Sequence, residues 1–71
     1  MQKLAGDLKF WRRFFDITQE QAADLFRVSI TTYGRWERSV VAPNQKTEDR
    51  LYDLVAAMYF AHDQTKDGIA G

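Results

Sequence analysis

Residues 17–38 read ITQEQAADLFRVSITTYGRWER and contain two helix starts separated by a very short connection. Thr18 stands three residues before Gln21, the spacing of a capping box, with Ile17 and Ala22 placed as its hydrophobic staple. The helix that follows has an inner face of Ala22, Ala23, Leu25 and Phe26. The connection is "RVS", and its Ser29 is a natural N-cap for the next helix, which should end near Arg38. Gly34 falls in the middle of that helix, where it should cost about 1 kcal/mol relative to alanine.

Outward from this pair, Leu4, Leu8, Trp11 and Phe15 recur at helical spacing and line one apolar face of a first helix, running from about Asp7 to Phe15. Asp16 suits its end, because aspartate tolerates the left-handed backbone better than most residues. Downstream, "SVVAPN" reads as a loop, with Pro43 blocking continuation. A fourth helix begins between Asn44 and Thr47 and should reach about Phe60. The remaining residues look frayed, and His62 among them reads as a solvated side chain. No strand alternation or internal repeat interrupts the pattern. The expectation is an all-α domain, a compact bundle of four or five short helices over residues 1–62, with a flexible tail at 63–71.

Bulk properties agree with one small folded domain. The chain has 71 residues, too few for two cores, and its 45% hydrophobic and 14% aromatic content can build one. With no cysteine, disulfides and thiolate zinc sites are excluded, and no bound metal or cofactor is expected. A single histidine and no cysteine leave no common nucleophile or metal centre, so an enzyme is not expected. Glu48, Asp49 and Asp53 read as a solvated acidic helix start favoured by the helix dipole. No apolar run reaches the length of a membrane span and no signal-peptide core is visible, so a cytoplasmic protein without membrane partners is expected. Formal net charge is zero, yet residues 1–46 carry eight basic side chains against five acidic ones, and residues 47–71 carry two against five. Such asymmetry fits one anion-facing side, or an ordinary mixed surface.

On a wheel of about 100° per residue, the helix after Ser29 divides cleanly. Tyr33 and Trp36 share the side to be buried, while Ile30, Thr31, Gly34, Arg35 and Arg38 share the other. That outer face holds no acid and would suit a DNA major groove, which admits one helix. Gly34 would let the backbone approach base edges or a phosphate closely; an exposed glycine without a role is the alternative.

The segment "LKFWRRFFDITQEQAADLFRVSITTYGRWERSVVAP", residues 8–43, resembles the helix-turn-helix of the Cro and phage-repressor family, also called the xenobiotic-response-element family. "ITQEQAA" and "VS..TYGRWER....P" carry the likeness, which covers half of the chain. It implies a lambda-repressor-like fold whose second helix crosses the DNA backbone and whose third reads the major groove. It also implies base-reading roles for Ile30, Thr31, Gly34 and Arg35. Gln19 matches a phosphate-binding position, and Arg38 a backbone-contacting region. Arg12 and Glu37 match a buried salt bridge between the first and third helices. The chain departs from the family pattern at Arg27 and Ser39, which stand where glycine is usual, and at Ala22, where leucine is usual. Bulky Trp11 and Phe14 could compensate for Ala22.

Arg35 suits guanine, whose O6 and N7 a guanidinium can engage together; a phosphate contact or a solvated arginine is the alternative. Ile30 suits a thymine methyl group. Thr18, Arg13, Arg27, Ser29 and Lys46 join Gln19 and Arg38 as expected DNA-backbone contacts. On the fourth helix, Leu51, Leu54, Val55 and Met58 should close the core. Tyr52, Ala56, Tyr59 and Phe60 form a second stripe, expected either to pair two copies through a dimerisation helix at about 46–60 or to cover the first helix. The function expected is a small dimeric repressor, plausibly of its own promoter, occupying a palindromic double-stranded DNA operator. The alternative is an antitoxin that holds a toxin protein and represses its own operon.

Overall fold

The computed structural model describes residues 3–70, and side chains are described for 3–64. Four helices follow in order: α1 (Lys3–Phe14), α2 (Gln19–Phe26), α3 (Ile30–Glu37) and α4 (Gln45–Ala70), with no strand among the described residues. The first begins earlier than Asp7, which brings Leu4 within the helix and adds Ala5 to its buried side.

The boundaries are set by caps. Thr18 Oγ1 accepts from Gln21 N–H at 3.0 Å while Thr18 N–H donates to Gln21 Oε1 at 2.8 Å, the reciprocal box the spacing requires. Ser29 Oγ accepts from Thr32 N–H at 3.1 Å and opens α3. Asn44 Oδ1 accepts from Thr47 N–H at 2.9 Å and opens α4 just after Pro43.

The first three helices end in the same way. Ile17, Val28 and Val40 N–H groups reach back five residues to the carbonyls of Arg12, Ala23 and Arg35, each at 3.0–3.1 Å. This closure needs a left-handed residue just past the helix, and Asp16, Arg27 and Ser39 supply it with φ of 56°, 60° and 61°. None is glycine, so each costs about 1 kcal/mol that glycine would avoid. The turns between α1 and α2 and between α2 and α3 therefore keep a tight geometry despite the side chains they carry.

The core is built on Leu8, Trp11, Ala22, Ala23, Tyr33, Trp36 and Leu51, with Leu4 at its margin. Ala22 and Trp11 are both fully buried in this core, and the Trp11 ring lies 5.2 Å from Phe26. Phe14 does not share this burial. It is half exposed and packs instead on Phe15, Tyr59 and His62. Leu25, expected on the inner face of α2, is also half exposed and lies outside the buried core.

The largest departure from expectation is α4. It continues past Phe60 to Ala70, and no proline interrupts it after Phe60. At about 39 Å it outruns the bundle, giving the molecule extents of 44 × 22 × 21 Å. His62, expected in solvent, is exposed but stands edge-on to Phe14 and Phe15. Glu48 is half-buried, while Asp49 and Asp53 are exposed. No described helix is long and apolar enough to cross a membrane.

Candidate nucleic-acid interface

Helix α3 presents two unlike faces. Tyr33 is fully buried and Trp36 is 6% exposed, their rings 6.2 Å apart and close to perpendicular. Ile30, Thr31, Arg35 and Arg38 are all exposed. The one acid of the helix, Glu37, is turned inward and 2% exposed, so its charge is withdrawn from the outer surface.

Three helical side chains converge on that carboxylate. Arg12 forks onto it, Nε donating to Oε2 at 2.7 Å and Nη2 to Oε1 at 3.1 Å. Gln19 Nε2 donates to Oε1 at 3.0 Å and Tyr33 Oη to Oε2 at 2.5 Å. Arg12 also donates through Nη1 to the Ile17 carbonyl at 3.3 Å, tying the cluster to the α1–α2 turn. Burial pushes the Glu37 carboxyl up, but hydrogen bonds from Arg12, Tyr33 and Gln19 outweigh it and hold the group below the usual carboxylate range. Burial, reinforced by Glu37, raises the Tyr33 phenol. One residue from each of α1 and α2, with two from α3, thus fixes how α3 sits on the bundle.

Gly34 sits differently from its expected place. It is buried rather than bare, and a Cβ there would meet Arg38 Nη1 at 3.0 Å and Gln19 Oε1 at 3.8 Å. The glycine makes room for the Arg38 side chain to lie across α3 beside Gln19. Close approach of a ligand to the bare backbone at Gly34 would first require Arg38 to move aside.

Other candidates divide by what already occupies them. The hydroxyls of Thr18 and Ser29 serve as helix caps, and the Gln19 amide is held by Glu37. Arg13 and Lys46 are exposed. Arg27 borders a cleft between the end of α2 and the first turns of α4, together with Arg50, Thr47 and Leu54. No family model, curated protein or solved structure matches this chain.

The aromatic stripe of α4 splits in two. Tyr52 donates to Asp7 Oδ2 at 2.6 Å, and burial with this bond pushes its phenol up to about 12. Tyr59 packs 5.0 Å from Phe14 and 5.4 Å from Phe15. Both therefore cover α1 within the same chain, and both remain half-buried. Ala56 and Phe60 remain exposed, and Phe60 at 65% is matched by Phe10 at 66% on α1.

Sequence reasoning did not find the Gln19 and Tyr33 bonds to Glu37, although Tyr33 and Glu37 lie one helical turn apart. It also missed Arg50, whose place depends on how α4 crosses α2.

Proposed function

We propose that this protein is a sequence-specific double-stranded DNA-binding regulator of the helix-turn-helix type, reading the major groove with α3. The observation that carries the reading is the outer face of α3: Ile30, Thr31 and Arg35 exposed, no acid beside them, and the only acid of the helix neutralised inside. A groove-reading helix must be held firmly while its outward side chains stay free, and the Glu37 cluster supplies that hold. Arg35 reads guanine, Ile30 and Thr31 meet thymine methyl groups or backbone, and the first N–H groups of α2 take a phosphate. Arg13, Arg38 and Lys46 neutralise the DNA backbone.

Two copies would read a palindrome, joined across the exposed Phe60 and Ala56 of α4 and Phe10 of α1. Apolar side chains exposed this far gain by burial against a second copy. A small regulator of this kind acts by occupying a promoter.

Arg35→Ala is expected to weaken binding to a matched operator by about 1–3 kcal/mol, while its binding to scrambled DNA changes far less. Fluorescence anisotropy on both duplexes at fixed salt measures the difference. Equal loss on the two would reduce Arg35 to a phosphate contact.

A further inference from the structure

The cleft beside Arg27 has a volume of about 480 Å³, within the usual range for small-molecule sites. Leu51 and Phe26 form its inner part; Leu51 is 3% exposed and Phe26 packs on the core. Leu25, Val28 and Leu54 add apolar walls, and Leu25 is 46% exposed. The polar side chains lining it are Arg27, Arg50 and Thr47, and no carboxylate lines it. Neither arginine forms an ion pair among the described residues. Arg27 moreover keeps a long cationic side chain at a left-handed position that glycine would occupy without strain.

We propose that this cleft binds a small amphipathic carboxylate, its hydrocarbon body against Leu25, Leu51 and Leu54 and its anionic head between the guanidinium groups of Arg27 and Arg50. Apolar walls alone would accept any hydrocarbon. Two unpaired guanidinium groups, each able to take a carboxylate through paired N–H donors, select for the acid. A cation would face two like charges and an uncharged alcohol would leave both unneutralised. The site does not depend on duplex binding, and its test contains no DNA.

Decanoate, below its micelle-forming concentration, is the probe, titrated into protein with labelled methyl groups and followed by NMR. Saturable shifts are expected at the methyl groups of Leu25, Val28 and Leu54. Arg50→Gln and Arg27→Gln are each expected to weaken binding at least fivefold, and decanol to bind at least fivefold more weakly than decanoate. Both arginines are exposed, and a thermal melt confirms that the variants remain folded. The proposal is overturned by shifts that do not saturate, by shifts centred on the exposed Ala56 methyl group outside the cleft, by variants that bind as tightly as the native chain, or by decanol equal to decanoate.

Discussion

Glu37→Ala is expected to destabilise the domain by about 3–5 kcal/mol, the cost of stranding a buried charge network by removing one side of it. Arg12, Gln19 and Tyr33 would all lose their shared acceptor, and the Tyr33 hydroxyl has no water to replace it because the residue is fully buried. A domain of this size has a total stability of roughly 4–11 kcal/mol, so the variant should lose a large fraction of it and melt at a much lower temperature. Urea denaturation followed by circular dichroism measures the loss, and a change below about 1 kcal/mol would mean that the cluster contributes little. The same group sets the acid limit. Its folded carboxyl titrates below the unfolded value of about 4.3, so its stabilisation is complete above that pH and fades as pH falls through the folded value. Glu37→Gln should flatten this part of the stability profile.

Trp11→Ala is expected to cost about 3–5 kcal/mol, because the indole is fully buried and its removal leaves a cavity against Phe26 that helical backbones cannot close. Trp11→Phe should behave very differently. The indole Nε1–H is buried with no hydrogen-bond partner among the described residues, a deficit of about 1–3 kcal/mol that phenylalanine does not carry. The loss of ring volume and the removal of that unsatisfied donor oppose each other, so the net change should stay below about 1.5 kcal/mol. Thermal melts of the two variants side by side separate lost volume from lost polarity. Equal destabilisation would mean that the N–H has a partner.

What the sequence made legible is what short-range physics controls. Thr18 and Gln21, Ser29, and the alternation of Tyr33 and Trp36 with Arg35 are local patterns, and the described helices keep them. The Arg12–Glu37 pair was accessible only through the resemblance, since 25 residues separate its members. Gly34 shows the limit of reading a wheel. Its azimuth is outward, yet a long neighbour one turn later folds over it, and side-chain reach is not encoded in periodicity. Tyr52 and Tyr59 were ambiguous for a related reason: a stripe of aromatics has the same spacing whether it meets α1 or another molecule. Contacts with Asp7 and Phe14 put both rings against α1. The length of α4 was missed because a polar run without proline reads as a tail in one dimension and still forms helix when joined to a packed one.

Selection from a random double-stranded DNA library with the purified protein tests the central claim most directly. The account predicts enrichment of a palindromic sequence whose half-sites lie about one helical turn apart, with a guanine in each half that Arg35→Ala no longer selects. A library that emerges unenriched at low salt, or a consensus indifferent to Arg35, would contradict it.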